Sequence, residues 1–383
     1  MPEPLHTVNE RLQFIAAHQS GMYTMKELAA RHRISRQAGR EWVNRYDAEG
    51  ADGLKPKSHA PHHCPHRISE EVAEVLLDAR RQHPTWGARK LIPWLIGKRP
   101  ELEGHLPAAS TVADLLKRRG MVEPRRRRRR VEHEAAGPLQ ASAPNQVWAA
   151  DYKGQFRTRD GRECYPLTVT DAFSRALLLC DALLSVRFTE AKPSWERCFR
   201  TYGLPERMRT DNGSPFAAPT PLGLTRLNVW WTKLGIVHDR IEPRRPDQNG
   251  SHERMHRTLK AEATRPPGQD QADQQAIFKR FQAEFIEERP HEALGQQTPG
   301  SLYTRSEREL PERLPEPEYE GHWEPRRVRP LGTFKFKGRE IFLSSVLEGE
   351  RIALDEVKDG VWSIYFYGLM LGRLDERTGK IVG

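Results

Sequence analysis

Cysteine is scarce in this chain, with four residues among 383 and no pair at the CxxC spacing. Scattered cysteines predict neither a disulfide framework nor a cysteine-rich zinc module, and they favour a reducing compartment. No apolar run reaches the length that crosses a bilayer, and the first twenty residues are polar, unlike a signal peptide. We therefore expect a cytoplasmic protein without membrane partners. The four cysteines are Cys64, Cys164, Cys180 and Cys198.

Acidic residues are outnumbered, with 52 Asp and Glu against 62 Lys and Arg, which leaves a net charge of +10. This balance favours a polyanionic partner such as a nucleic acid. One run of six adjacent arginines strengthens the prediction, because such charges repel one another unless phosphates neutralise them. The alternative is a disordered tether. The run is Arg125, Arg126, Arg127, Arg128, Arg129 and Arg130.

One histidine-rich stretch could suggest a metal site. His62, His63, Cys64 and His66 fall within five residues of a Pro-rich segment. This spacing is too tight for one tetrahedral site without a partner pair elsewhere. We interpret the stretch as a solvated linker.

The length predicts several domains, and the composition changes along the chain support five segments. Two all-α helix-turn-helix domains occupy residues 1–55 and 67–122, followed by an arginine-rich linker over 123–142. An α/β core with a ribonuclease-H-like element order covers 143–305: three strands in a meander, then alternating helices and strands. Its first strand is predicted over 147–156, and one of its helices over 222–234. Short alternating strands over 326–383 predict a small SH3-like β-barrel, with a hairpin turn at Asp359-Gly360.

The first domain carries local signals for three helices. Thr7-x-x-Glu10 and Thr24-x-x-Glu27 are capping boxes, and Ser35 can cap a third helix. On that third helix, one polar face is expected to reach phosphates and base edges in a major groove. The alternative is a generic three-helix bundle with a solvated face. The polar face consists of Arg36, Gln37, Arg40 and Asn44.

The second domain predicts helices over 70–82, 87–98 and 111–119. Ser110 is the expected cap of its last helix and Gly120 the expected stop. Arg118 and Arg119 lie on the exposed side of that helix and are candidate DNA contacts. Two such domains in series would cover a long DNA site.

Three carboxylates are the candidate catalytic residues. Asp151 and Asp211 each end an apolar, β-prone run, and Glu253 lies on a basic helix. Acids placed on neighbouring strands and an adjacent helix can converge on two divalent cations, an arrangement that attacks phosphodiesters. Mg²⁺ prefers such hard oxygen ligands. Asp171 is a fourth acid nearby, but its turn before Ser174 indicates a capping role.

The helix of Glu253 also carries His256 and Lys260 at i+3 and i+7. These positions share one side of a helix. We expect both side chains to contact DNA at the cleft.

Residues 145–305 resemble the catalytic core of the retroviral-integrase superfamily, and most closely the DDE transposases of bacterial insertion sequences. The resemblance depends on three motifs and on the closing segment 289–299. The motifs are Trp148-Ala149-Ala150-Asp151, Arg209-Thr210-Asp211-Asn212-Gly213-Ser214-Pro215-Phe216 and the segment 246–260, which includes Asn249-Gly250-Ser251-His252-Glu253-Arg254.

The resemblance implies a nucleoid-associated bacterial transposase. Such an enzyme binds the terminal inverted repeats of a mobile element, hydrolyses a phosphodiester to free a 3′-hydroxyl, and joins it to target DNA by two-metal transesterification. It implies Asp151, Asp211 and Glu253 as ligands of two Mg²⁺ ions, with Mn²⁺ as a substitute, and Lys260 as a DNA contact. It also implies a homo-oligomer, at least a dimer. Nothing indicates a partner ATPase.

The spacing of the last two acids departs from the family pattern. Many relatives have a shorter interval, and counting that interval from Asp211 gives Asp247 instead of Glu253. We favour Glu253 because Asp247 precedes Asn249-Gly250, where the helix only begins. An insertion within 217–226 would account for the extra length.

Two other functions remain as alternatives. A DNA-binding regulator or targeting factor could be built on an inactive core, although the presence of all three acids argues against it. A structure-specific nuclease would cut DNA without joining it.

The arginine run generates a salt-dependence prediction. DNA affinity should fall by roughly 0.9 log units per log unit of salt for each neutralised phosphate. Replacing the six arginines with serine should reduce the slope measured by fluorescence anisotropy titrations at several salt concentrations. An unchanged slope would show that the run does not contact phosphates.

Overall fold

The computed structural model describes residues 7–56, 68–123, 141–220, 222–242 and 250–382. The chain divides into two compact units, residues 1–68 and 69–383. The arginine run, the His62–His66 stretch and Asp247 lie outside the described residues. Among the described residues, no helix combines the length and the apolarity that crossing a bilayer requires.

The first unit is a three-helix domain whose helix starts agree with the capping signals. Both capping boxes form, at Thr7 and Glu10 and at Thr24 and Glu27, and the Ser35 side chain accepts from the amide of Ala38. Apolar side chains around the buried Phe14 form its core. The helices are α1 (Val8–Gln19), α2 (Met25–Arg31) and α3 (Arg36–Glu49), and a 3-10 turn covers Gly50–Leu54.

The second unit begins with three more helices. They are α4 (Glu70–Gln82), α5 (Ala88–Lys98) and α6 (Ala109–Arg118). Gly120 follows α6 with φ +71°, as expected of a residue that ends a helix. The predicted Ser110 cap is wrong, because α6 begins after Ala108 and includes Ser110. Ala109 has a high helix propensity, so the helix extends past the serine without a side-chain cap.

These helices pack against the α/β core through aromatic and charged side chains. His83 stacks on Trp86, with ring centroids 3.8 Å apart, and its Nδ1 lies 3.2 Å from a carboxylate oxygen of Glu284. The indole of Trp94 donates to Glu288 over 3.3 Å. The guanidinium of Arg289 lies 5.4 Å from the centre of the Trp86 ring.

The core has the ribonuclease-H-like order that the sequence predicted. Its strands are β1 (Val147–Tyr152), β2 (Phe156–Arg157), β3 (Glu163–Asp171), β4 (Leu177–Leu183), β5 (Arg207–Thr210) and β6 (Val237–Arg240). Strand β3 pairs antiparallel with β1, β2 and β4. Strand β5 lies parallel between β1 and β6. The first strand was predicted to run to Phe156, but it ends at Tyr152, and β2 is a separate element.

Helices cover both faces of this sheet. They are α7 (Phe188–Tyr202), α8 (Arg226–Lys233), α9 (Gly250–Ala263), α10 (Gln271–Glu287) and α11 (Pro299–Leu302). One buried cluster joins β1 and β3 to α7 and α8 through Trp148, Trp195 and Trp231. Another joins β4 to α9 and α10 through Leu259 and Phe278. Side chains alternate along β1, so Trp148 faces α7 and α8 whereas Asp151 faces α9.

Helix α8 is shorter than predicted. The pattern indicated a start at Leu222, but α8 begins at Arg226 after the capping residue Thr225. Leu222 and Leu224 instead pack into the apolar cluster of the C-terminal region. Because Leu222 and Leu224 pack against the C-terminal region, residues before Arg226 do not join the helix.

The C-terminal region is β-rich, as predicted. Its strands are β7 (Glu324–Arg327), β8 (Thr333–Phe336), β9 (Arg339–Phe342), β10 (Arg351–Lys358), β11 (Val361–Phe366), β12 (Leu369–Asp375) and β13 (Lys380–Val382). Five of them form an antiparallel sheet in the order β13-β12-β11-β10-β7, and β8 pairs with β9. Gly360 turns between β10 and β11 with φ +73°. Pairing among the described strands leaves the sheet and the hairpin separate, so hydrogen bonds do not close a barrel.

A buried ion pair at the end of α9 generates a stability prediction. Both carboxylate oxygens of Glu262 lie within 2.9 Å of the guanidinium of Arg289, and the two side chains are 15% and 6% exposed. Glu262→Gln leaves a buried guanidinium without its ion-pair partner, so we expect the free energy of unfolding to fall by about 3 kcal/mol.

Urea denaturation followed by circular dichroism measures this loss. Glu309→Gln is the matched control, because it breaks an exposed pair with Arg305. The control should change stability by less than about 0.5 kcal/mol. Equal losses in the two variants would contradict the assignment of the Glu262–Arg289 pair as a structural anchor.

Candidate active site

Asp151 is the second-last residue of the central strand β1 and pairs with Thr168 of β3. Its side chain is 22% exposed. Burial, and after it the negative charge of Asp211, raise the pKa of Asp151 to about 7, with a smaller contribution from the charge of Glu253. The positive charge of Lys153 acts in the opposite direction. The fold therefore brings the charges of Asp211 and Glu253 within electrostatic reach of Asp151.

Asp211 follows β5, which pairs in parallel with β1. The carboxyl ends of parallel neighbours meet at one edge of the sheet, and this places Asp211 beside Asp151. One carboxylate oxygen of Asp211 accepts from the amide of Gly213 over 3.1 Å. The side chain of Asn212 donates to the main-chain oxygen of Ile241 over 2.7 Å, which ties the loop to the end of β6.

Glu253 lies in the first turn of α9 and is exposed. The apolar side of this helix, with Met255 and Leu259, is buried against α10 and β4. Lys260, two turns further on, is also exposed. The packing of α9 thus leaves Glu253 and Lys260 accessible from solvent.

His256 lies differently from the expectation. The sequence predicted a shared exposed side with Glu253 and Lys260, but His256 is only 7% exposed and turns toward the sheet. Its Nδ1 atom lies 3.6 Å from a carboxylate oxygen of Asp151. Burial lowers the pKa of His256 to about 3. The placement does not favour DNA contact by this side chain.

The sequence did not predict a hydrogen-bonded network of threonines on β3 and histidines on α9, next to Asp151. The hydroxyl of Thr168 lies 2.8 Å from Nε2 of His252 and 2.7 Å from Nε2 of His256. The hydroxyl of Thr170 lies 2.9 Å from Nδ1 of His252. Two histidines four positions apart on one helix, together with Thr-x-Thr on a strand, were the available signal. Asp151, His252 and His256 are also close enough to one another to hold a metal ion.

Asp171 has the capping role that the sequence predicted. Its buried carboxylate accepts from the amide and hydroxyl of Ser174, each over 2.7 Å. The other oxygen accepts from the amide of Asn145 over 2.8 Å. This acid holds the turn between β3 and β4 and is occupied by these donors.

The predicted DNA contacts of the helical domains are exposed where they are described. Helix α3 presents Arg36, Gln37, Arg40 and Asn44 to solvent, and α6 presents Arg118 and Arg119. A guanidinium nitrogen of Arg119 lies 3.0 Å from Glu70. Their role in DNA binding stays a prediction.

The network at Thr168 generates a second stability prediction. Thr168→Val keeps the side-chain shape but removes the hydroxyl shared by two buried histidines and the main-chain oxygen of Asp151. Because each buried polar group left unpaired costs about 1–3 kcal/mol, we expect a loss of at least about 2 kcal/mol by thermal denaturation. Thr201→Val, on the exposed side of α7, is the matched control and should stay within about 0.5 kcal/mol. A silent Thr168→Val variant would refute the network.

Five family models match successive parts of the chain. A helix-turn-helix domain matches residues 10–62 and a homeodomain-like domain matches 38–116. Two integrase core domain models match 141–246 and 234–299. The model of the IS481 family transposase C-terminal domain matches 324–382.

A curated relative and two solved structures are similar to the chain. An uncharacterized 31.7 kDa protein of insertion element IS407 from Burkholderia multivorans is 24% identical over 240 residues, which cover 62% of this chain and 82% of the relative. A simian T-cell lymphotropic virus intasome, in complex with PP2A regulatory subunit B56 gamma, has a TM-score of 0.37 and 18% identity over 71% of this chain and 93% of that one. The HTLV-2 integrase catalytic core domain in complex with magnesium has a TM-score of 0.34 and 15% identity over 43% of this chain and 100% of that one.

The order of the family matches along the chain supports the assignment of the chain to a family. Helix-turn-helix models precede the integrase core, and a transposase-specific C-terminal model follows it. The α/β part of the chain, from β1 to α11, lies within or next to the stretch that the integrase core models match. The chain is an insertion-sequence DDE transposase of the retroviral-integrase superfamily, with an integrase catalytic core behind helix-turn-helix domains.

Proposed function

We propose that this transposase binds the terminal inverted repeats of its element, frees a 3′-hydroxyl by hydrolysis and joins that hydroxyl to target DNA. Asp151, Asp211 and Glu253 are the proposed ligands of two divalent cations, Mg²⁺ or Mn²⁺. The observation that carries the proposal is that the half-buried Asp151 lies beside the end of β5, which delivers Asp211, and that the charges of both Asp211 and Glu253 act on it.

The residues fit a divalent cation on chemical grounds. Crowded carboxylates in a partly buried site repel one another, and a cation between them relieves this repulsion. Carboxylate oxygens are the hard ligands that Mg²⁺ binds while it keeps waters that phosphate can displace. When bound, the cations would activate the attacking oxygen and stabilise the leaving 3′-oxygen.

The side chains of the protein have the task of positioning. Asp151 lies on the central strand and Asp211 directly follows its parallel neighbour, so hydrogen-bonded strands position both acids. Glu253 approaches from α9. Lys260, exposed on the same helix two turns away, is a proposed contact to a DNA phosphate.

The helical domains are the proposed readers of the element ends. Helix α3 exposes a row of side chains that can reach base edges and phosphates, with Arg36 and Arg40 as cations and Gln37 and Asn44 as amides. Bidentate arginine–guanine and amide–adenine pairs would give sequence preference. Holding two element ends at once requires at least two protomers, so we propose a homo-oligomer.

The proposed catalytic acids are tested one at a time. Asp151→Asn, Asp211→Asn and Glu253→Gln should each abolish joining of an end fragment to supercoiled target DNA with Mg²⁺ or Mn²⁺. Binding of the end fragment in a gel-shift assay should survive, because the reading domains are unchanged.

Glu206→Gln is the matched control for these variants. Glu206 is an exposed acid that directly precedes β5, at the opposite end of the strand from Asp211, and its loss should leave joining intact. Joining that persists in Asp151→Asn would overturn the metal assignment. Wild-type protein that binds ends but neither nicks nor joins them would instead indicate a DNA-binding regulator.

A further inference from the structure

The hydroxyl of Thr168 determines where the protons of the network lie. It donates to the main-chain oxygen of Asp151 over 3.0 Å. A hydroxyl has one proton and can accept with its lone pairs. Because that proton is used, the Nε2 atoms of His252 and His256 must each donate an N–H to Thr168.

His252 is satisfied on both sides of its ring. Its Nε2–H donates to Thr168, which leaves Nδ1 without a proton in the neutral ring. The hydroxyl of Thr170 lies 2.9 Å from this Nδ1 and can donate to it. His252 is only 1% exposed, and its role is to anchor α9 to β3.

His256 differs from His252 at the second nitrogen. Its Nε2–H donates to Thr168, so Nδ1 carries a lone pair. The atom that faces this lone pair, at 3.6 Å, is a carboxylate oxygen of Asp151, which in the ionised acid can only accept. The imidazole nitrogen and the ionised carboxylate are therefore two electron-pair donors that lie 3.6 Å apart, a spacing that one shared cation can bridge.

Glu253 lies three positions before His256 on α9. Side chains three apart are neighbours on a helix surface. Glu-x-x-His at this spacing is the helical motif that holds the metals in di-iron and di-manganese carboxylate proteins. The charge of Glu253 also acts on Asp151, so both residues of the motif lie near the same acid.

We propose that Nδ1 of His256 is a nitrogen ligand that binds, together with Asp151 and Glu253, one of the two divalent cations of the active site. The inference rests on the proposed function, because it takes Asp151 and Glu253 as metal ligands. It adds a fourth protein ligand of a different chemical type to the three acids.

The distance between the two atoms fits one shared ion. Metal–nitrogen and metal–oxygen bonds are each about 2.1 Å. Two ligand atoms 3.6 Å apart then subtend an angle of about 120° at the ion. This angle is wider than the right angle between neighbouring ligands of an octahedral Mg²⁺, and flexible coordination geometries accommodate it more easily.

A nitrogen ligand has a consequence for metal selectivity. Imidazole suits transition metals, whereas Mg²⁺ is bound by carboxylates, carbonyls and water. The site should therefore bind Co²⁺ and Mn²⁺ more tightly than Mg²⁺, and His256 should account for much of the difference.

Pulsed electron paramagnetic resonance of the full chain loaded with Mn²⁺ tests the ligand directly. Nitrogen coordination gives ¹⁴N modulation of the Mn²⁺ signal. We expect this modulation in the wild-type protein and its loss in His256→Gln, whose amide can still donate to Thr168 but offers no nitrogen lone pair. His252→Gln is the matched control, because it changes the other histidine of the same network, and it should keep the modulation.

Metal affinity is the second measurement. His256→Gln should weaken Co²⁺ and Mn²⁺ binding about tenfold and change Mg²⁺ binding by less than about twofold. Absence of ¹⁴N modulation in the wild type, or modulation that persists in His256→Gln, would overturn the proposal. So would equal loss of affinity for all three metals.

The two proposals fail in different ways. If Asp151→Asn abolishes joining and Mn²⁺ binding while the wild type lacks nitrogen modulation, the three acids bind metal and the role of His256 is wrong. If Asp151→Asn leaves Mn²⁺ binding and joining intact, the proposed function itself fails.

Discussion

The seating of α9 on the sheet is the constraint on which the candidate site depends. Asp151 lies on a strand of the sheet and Asp211 directly follows another strand, but Glu253 lies on a helix. The packing of that helix therefore determines the position of Glu253. Three interactions hold α9. They are the threonine–histidine network at its start, the apolar contacts of Met255 and Leu259 in its middle, and the Glu262–Arg289 ion pair at its end. Because these contacts are buried, the helix cannot rotate without leaving polar groups unpaired.

The fold holds Asp151 and Asp211 close together although their negative charges repel each other. Alternation along β1 turns Asp151 toward α9 and away from the tryptophan cluster, and the parallel pairing of β5 sets Asp211 at the same edge. Without a counter-charge, burial and then the nearby charge of Asp211 raise the pKa of Asp151 and favour its protonated form. The packing of the surrounding core therefore holds these acids close together, although their charges repel one another, and a bound cation would stabilise the group. Acids with such raised pKa values are common at functional sites.

The flanking regions are attached to the core through charge as well as apolar contact. Arg89 and Lys98 of the second helical domain pair with Glu292 and Glu288 of the core, and Lys233 of α8 pairs with Glu350 of the C-terminal region. Cations used in this way are less available to DNA. Among the described residues, the proposed DNA contacts are Lys260 of α9 and exposed side chains of α3 and of the end of α6, where Arg119 also pairs with Glu70.

Local patterns accounted for much of this architecture. The capping boxes at Thr7 and Thr24, the capping turn of Asp171 and the strands that lead to Asp151 and Asp211 depend on neighbours in the chain, so they could be read from the sequence. Misplaced boundaries came where distant contacts decide, as at Leu222, whose side chain packs in the C-terminal cluster instead of extending α8.

The sequence by itself determined which acids are candidates and that the chain resembles an integrase-type transposase, because motifs and capping signals are local. Only the tertiary structure decided which way His256 points. Helical spacing puts it beside Glu253 on the helix surface, but the rotation of α9 about its own axis is set by burial against β3. That rotation turned a side chain expected to contact DNA into one that faces Asp151.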